Sequence, residues 1–439
     1  MRNRSLTFAE TLFHAIVKTP FCPTSHIING QNLPLMCLEI PVRIPNLLHW
    51  LHEQEIYPKF YYESPKEGII IAALGEAFVS HEIPAFSHQS DFPRLFGGMD
   101  FQVRKMGGQK GIPSCYFALP QIEIEEIDQK QILRIYKTSS DSLDEIAKKI
   151  TFESDTSFEN LLPPSMRTDS PTYPEWERNI NEIHQLILQG DLGKVVLARE
   201  VLLQFENKID PLSLCKKLQG KSQAATLFSF QISDSVGFIS ATPEILYHRK
   251  GNQIESIAVA GTRRRGKDEE EDKLLQLELL ESAKERREFS IVASYINASL
   301  QPLCKELKMD ISPKIIQTST VQHLCQVFAG TLLKESTDLA IIQKLHPTPA
   351  VGGLPLPIAL NEISKRECFD RGWYGAPVGW ISSKEASIHV AIRSAFIFAN
   401  TMLLYSGTGI VAGSDPAAEW KELEYKISQF FLWEDLCVK

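Results

Sequence analysis

The sequence predicts a mixed α/β protein, and three observations carry that prediction. The first 160 residues or so break into short strand-like runs separated by turn signals. From about Trp176 onward, β-branched runs alternate with segments of helical period. No internal repeat or low-complexity tract interrupts either pattern. At 439 residues the chain has room for two or three modest domains or one large intertwined one. Its 43% apolar and 23% charged content are those of an ordinary globular protein.

Taken in order, MRNRSLTFAETLFHAIVK reads as an amphipathic helix. Glu10, His14 and Lys18 interrupt its apolar run, so it lacks the core of a signal peptide. No window approaches 18 uncharged apolar residues, so no membrane span is expected. Residues 60–78 read as two strands joined at Ser64-Pro65. In LFGGMDF, Gly97-Gly98 inside an apolar run signals a bulge or a close backbone approach. Residues 121–137 give two more strands around a charged turn. The Pro-, Ser- and Asp-rich stretch from Phe158 to Pro174 reads as a linker. It divides a β-rich N-terminal region, 1–165, integrated with the core, from a larger region, 166–439.

Beyond it, Trp176, Ile180, Ile183, Leu186 and Ile187 fall near one helical face, and Gly190 and Gly193 end that helix. KVVLAREVLLQF is a strand and PLSLCKKLQG a short helix. ATLFSFQIS and VGFISATPEILYHRKGNQIESIAVAG are strands with turns. KDEEEDKLLQLELLESAKERREFSIVASYINASL is a long, interrupted helix whose acidic start suits the N-terminal dipole.

A net charge of −8 argues against a general nucleic-acid or membrane-surface binder. An anionic ligand would then need a local basic pocket or a metal. Eight scattered cysteines form no CxxC pair, which fits reduced thiols in a cytoplasmic protein.

The stretch from Arg371 to Lys426 is the densest in chemistry. Arg393 sits in a strand-like run, a Gly407-Thr408-Gly409 turn follows, and a helix start carries Glu419, Glu422 and Lys426. The arginine and glycine amides suit carboxylate oxygens, and a divalent cation on Glu422 would take another. Lys194 heads an apolar strand, where burial turns a lysine into a base, although solvated lysines are commoner there. Glu244 follows Pro243 before an apolar run. Its carboxyl is either a raised-pKa acid or a surface turn residue. Glu281, Glu285 and Glu288 share a helix face, solvated or metal-ligating. His323 and His346 read as structural on residue type alone. VAGTRRRG reads as a strand and a tight basic turn, with Gly261 and Thr262 offering an amide and a hydroxyl.

Together, GKVVLAR, ATPEILYH, AVAGTRRRG, SAKERREFSIV, VQHLCQVFAGTL, LHPTPAVGGLP, GWYGAPVGW, AIRSAF and GTGIVAGSDPAAEWKELEYK resemble, in order, the chorismate-utilising enzyme family. FYYES, GEAF and FGGMDF resemble its isochorismate synthase branch more loosely. The resemblance implies large antiparallel sheets packed in a core with helices outside. It implies conversion of chorismate to isochorismate, by water addition at C2 and loss of the C4 hydroxyl, for menaquinone synthesis. Lys194 would be the general base and Glu244 the general acid. Glu288 and Glu422 would bind Mg²⁺, with Glu419 helping. Gly261, Thr262, His323, Ala350, Tyr374, Arg393, Gly407, Gly409 and Lys426 would shape the substrate pocket. One departure is Gly407-Thr408-Gly409, where the family commonly has Gly-Ala-Gly, a change read as small.

Sister activities separate at a few positions. Aminating members normally lack a lysine at position 194, and one type carries a nucleophilic lysine where this chain has Ala260. Ala350 in LHPTPAVGG also favours water as the nucleophile. The resemblance implies no glutaminase subunit and a monomer or homodimer. A salicylate synthase, which adds pyruvate elimination, is the alternative enzyme. A glutaminase-partnered synthase component and a non-catalytic binding paralogue are rival classes.

Overall fold

The computed structural model describes residues 22–86, 93–102, 111–138, 141, 146, 150–151, 157–158, 160–220, 225–317 and 321–431. The helix expected at residues 1–18 lies outside them. Two antiparallel sheets form the body. The first runs Cys22–Ile28, Gln31–Val42, Lys130–Lys137, Ile122–Ile127, Ile69–Leu74, Lys59–Ser64, Thr226–Ser233, Val236–Thr242, Ser394–Phe398, Thr401–Ile410, Lys194–Gln204, Met166–Ser170. Gly353–Leu354 also pairs with Lys194–Gln204. The second runs Cys304–Met309, Val321–Leu332, Gln253–Arg264, Ile245–Lys250, Glu385–Val390, Pro377–Ile381, Leu95–Met99, Cys115–Leu119, Phe78–Ser80. Each sheet joins a block of strands from the first part of the chain to a block from the rest, the first sheet where Lys59–Ser64 pairs with Thr226–Ser233 and the second where Leu95–Met99 pairs with Pro377–Ile381.

Period-2 alternation explains the layering. Phe228, Phe230, Phe238 and Phe396 of the first sheet meet Phe96, Tyr116, Val378 and Trp380 of the second in one buried aromatic layer. The residues between them, such as Leu227, Ile239, Ala395 and Ile397, face the other way and pack with the helix Leu47–Glu53 and the helix Pro211–Leu218. The second sheet turns Ile254, Leu324 and Phe328 toward Phe289, Val292 and Ile296 of the helix Ala283–Leu300. Gly97 and Gly98 are the expected close approach. A Cβ on Gly97 would lie 1.7 Å from the Tyr116 carbonyl oxygen.

Four local readings change. The expected linker contains an edge strand, Met166–Ser170, and Pro174 already belongs to the helix Tyr173–Gln189. Gly407-Thr408-Gly409 is not a turn but part of the strand Thr401–Ile410, and Gly407 pairs with Ala198 and Gly409 with Val196. Gly261 does not end its strand. It sits at φ 74° in a bulge, and Gln253–Arg264 continues past it. The long acidic helix is interrupted, as expected, at Ser282, whose hydroxyl accepts from Glu285 N, and the reading that changes is the shared acidic face. The break puts Glu281 on another helix, exposed, and ends the expected face shared with Glu285 and Glu288.

Candidate active site

A cleft of about 670 Å³ opens where the two sheets meet the helix Ala283–Leu300 and the helix Pro416–Ile427. Glu244, Gly261, Thr262, Glu288, His323, Ala350, Tyr374, Arg393, Gly407, Gly409, Glu422 and Lys426 all line it. Of the residues singled out by sequence, Lys194 and Glu419 stand just behind the wall.

Lys194 begins its strand and is fully buried rather than solvated. Its Nζ lies 2.9 Å from Glu288 Oε1. The pair fits because Gly409 has no side chain. A Cβ there would fall 2.4 Å from Glu288 Oε1 and 2.7 Å from Lys194 Cε. Steric room, not a turn amide, is what this glycine supplies.

Glu244 is 4% exposed, and its backbone N donates to the Thr242 hydroxyl at 3.1 Å. Val390 N donates to its carbonyl oxygen at 3.0 Å, which fixes the segment between two strands. Burial raises its carboxyl from 4.5 to about 8, although Lys194, Lys426 and a hydrogen bond from Thr348 all favour the anion. At neutral pH it keeps its proton. Thr348 carried no signal in the sequence beyond its segment, because a threonine's role depends on what it faces.

Arg393 occupies the left-handed region at φ 53°, a strained setting for a non-glycine residue. Its Nη1 donates to the Lys426 carbonyl oxygen at 3.2 Å. Burial lowers its pKa to about 10, against the pull of Glu422, so it remains a cation at neutral pH. Tyr374 stacks on Tyr405 with centroids 5.2 Å apart. Its hydroxyl would lie 2.8 Å from a Cβ on Gly407.

His323 Nδ1 lies 3.1 Å from the Gly261 carbonyl oxygen and 3.2 Å from Thr262 Oγ1, so the bulge and the ring fix each other. Burial, then Arg393 and Lys426, lowers the imidazole pKa to about 3 and keeps it neutral. Beneath them Glu285 accepts from Thr262 N at 3.1 Å and from Arg263 Nη1 at 2.8 Å. Arg263, Arg264 and Arg265 pair with Glu285, Glu271 and Asp272, tying the strand to the broken helix.

The acidic side of the cleft is more organised than spacing indicated. Lys426 Nζ lies 2.6 Å from Glu422 Oε1 and donates to the Gly407 carbonyl oxygen at 2.8 Å. Burial alone would raise the Glu422 pKa, but Lys426 outweighs it and the carboxylate is held below its usual range. Glu419, 2% exposed, pairs with Lys284 at 2.7 Å. Thr408 joins the two acids. Its Oγ1 lies 2.6 Å from Glu419 Oε2 and 3.2 Å from Glu422 Oε1. The change from alanine is therefore not small, since alanine has no hydroxyl for either contact. Glu288 and Glu422 bring carboxylates to one cleft from two helices. This all-oxygen donor set suits Mg²⁺, which takes one or two carboxylates and keeps waters.

Residues 79–432 match the family model described as chorismate binding enzyme. The chain is 31% identical to isochorismate synthase MenF of Haemophilus influenzae, over 87% of each chain. It is 30% identical to isochorismate synthase 2, chloroplastic, of Arabidopsis thaliana, covering 90% of this chain and 79% of that one. Among solved structures it superposes on MenF, the menaquinone-specific isochorismate synthase of Escherichia coli, with a TM-score of 0.82. That match has 25% identity and covers 97% and 98% of the two chains.

Proposed function

This chain belongs to the chorismate binding enzyme family, and from that membership we propose that it is an isochorismate synthase. One observation carries the reading: a carboxyl that keeps its proton at neutral pH shares a cleft with a cationic arginine and two metal-suited carboxylates. Chorismate has two carboxylates and a C4 hydroxyl on a cyclohexadiene ring. Making isochorismate puts a water oxygen on C2 as the C4 hydroxyl departs.

Glu244 gives its proton to the leaving hydroxyl. Lys194, acting as the free amine with its Glu288 contact opened, takes the proton from the attacking water. Each proton transfer supplies about 10²–10⁴-fold in rate. Arg393 pins the enolpyruvyl carboxylate with its planar fork. Gly261, Thr262, His323, Ala350, Tyr374, Gly407, Gly409 and Lys426 shape the wall. Glu288 and Glu422 would hold Mg²⁺, supported by Glu419, and the bound ion supplies a Lewis acid for the ring carboxylate. Ala260 on the cleft wall offers no amine nucleophile, which supports water as the attacking group. The likeness to the E. coli enzyme supports menaquinone synthesis as the destination of the product.

The test is product identification from chorismate with and without Mg²⁺, with isochorismate expected only with the ion. Pyruvate with fluorescent salicylate would identify a salicylate synthase. An aromatic amine formed with ammonia would identify an aminating enzyme. No turnover at all would identify a binding protein.

A further inference from the structure

A second polar cluster lies away from the cleft lining. Glu67 stands in the turn between the strands Lys59–Ser64 and Ile69–Leu74 of the first sheet. His248 and His389 stand on neighbouring strands of the second, Ile245–Lys250 and Glu385–Val390. His248 pairs in register with Ser387, so His389 is its diagonal neighbour on the same face. One ligand atom from each of Glu67, His248 and His389 lies within 4.8 Å of the other two, the only such trio of His, Cys, Asp or Glu among the described residues.

The surroundings leave two ring nitrogens without a hydrogen-bond partner. Tyr62 Oη lies 3.0 Å from His389 Nε2 and 2.7 Å from Ser387 Oγ, and also bonds Glu67. Ser387 Oγ donates to Glu67 Oε1 at 3.2 Å. Yet His389, 1% exposed, keeps Nδ1 without a hydrogen-bond partner, and buried His248 Nε2 has none either. Orphaned polar atoms at that depth are costly in a folded protein. His248 Nε2 is 3.7 Å from Glu67 Oε1. Two ligands on a tetrahedral ion with bonds of about 2.0–2.2 Å sit roughly 3.4 Å apart, so a small side-chain shift closes the set. Burial holds both imidazoles neutral, the form that ligates, and Lys66 acts in the same direction. The Lys66 ammonium is itself engaged by Glu255. The side chains of His248 and Glu67 are about one-fifth exposed, which leaves an entry path.

We propose that Glu67, His248 and His389 form a binding site for a divalent first-row transition metal of the Zn²⁺ class. The site clamps the two sheets together. Two imidazoles and one carboxylate favour such a borderline ion over Mg²⁺, which prefers oxygen alone. The ion would brace the segment that holds the acid, since His389 pairs in register with Ile245, the residue after Glu244.

The experiment uses the whole chain, stripped with a chelator and reloaded with Zn²⁺ alone. After gel filtration, one zinc per chain and a raised thermal midpoint are expected. Co²⁺ in its place should give the visible absorption of a nitrogen-ligated tetrahedral ion. His248→Ala and Glu67→Gln, both at partly exposed positions and checked for native circular dichroism, should each weaken Zn²⁺ binding. Loss of the histidine should weaken it by more than about 100-fold, the upper end of what losing an outer-shell partner costs. Glu422→Gln should leave the Co²⁺ spectrum unchanged. Absence of bound zinc, wild-type binding by the two site variants, or loss of the spectrum in Glu422→Gln alone would overturn the assignment. None of these readouts depends on turnover of chorismate.

Discussion

Replacing Glu244 by glutamine separates the cost of a buried carboxyl from its use. The group titrates at about 8 in the folded protein, because burial outweighs the pull of Lys194 and Lys426, and near 4.5 once exposed. Between pH 5 and pH 7 the unfolded chain has lost that proton and the folded chain keeps it. Wild-type stability therefore falls by about 1.4 kcal/mol per pH unit from this group, on the order of 3 kcal/mol across the window. The sign is that of an acid whose folded pKa is raised. Its contribution is intact below pH 4.5 and is lost progressively as the pH climbs to about 8. Glutamine has nearly the same shape and does not titrate, while every other group is common to both proteins. Urea unfolding of the two proteins at pH 5, 6, 7 and 8.5 measures the difference. The advantage of Glu244→Gln should grow by about 3 kcal/mol from pH 5 to pH 7 and level off above about pH 8. Turnover should fall by about 10²–10⁴-fold, the worth of a general acid. Parallel stability curves would mean that the folded carboxyl is already ionised at pH 5, and the neutral-acid argument would fail.

Other outcomes follow from the same geometry. Lys194→Ala should lower kcat by about 10²–10⁴-fold, and steady-state kinetics showing full turnover would remove lysine from the mechanism. A Cβ in Gly409→Ala would first meet the Glu288 carboxylate and Lys194 Cε, and because Lys194 is fully buried the variant's thermal midpoint should fall. Its activity should drop about 10²-fold from the displaced pair; unchanged activity would show that the Lys194–Glu288 contact is dispensable. Thr408→Ala removes the hydroxyl between Glu419 and Glu422, and should raise the Mg²⁺ concentration needed for half-maximal activity by about 10–100-fold. A Mg²⁺ titration coincident with wild type would show that the hydroxyl is idle.

Much was legible before any coordinates. Helical period marked Trp176, Ile180 and Ile183, which are all fully buried. Apolar, β-branched runs marked Lys194–Gln204 and Thr226–Ser233, because such residues favour strands wherever a sheet buries them. The edge strand Met166–Ser170 was hidden, since a polar MRTDS run has no apolar alternation and becomes a strand only by pairing with Lys194–Gln204. The turn expected at Gly407-Thr408-Gly409 was misread for a related reason. Glycine signals freedom, while its use here is to leave space, which only the facing side chains reveal.

The chain on its own determined which side chains are able to bear chemistry and in what order, because side-chain type and local period are properties of the covalent sequence. Only the tertiary structure decided how far Glu244 is removed from water and which lysine neutralises which carboxylate. It also decided that Thr408 joins two acids, and that two histidines and a glutamate from distant segments meet. Desolvation and charge pairing depend on distances between residues far apart in the chain, and those distances exist only once the two sheets have closed on each other.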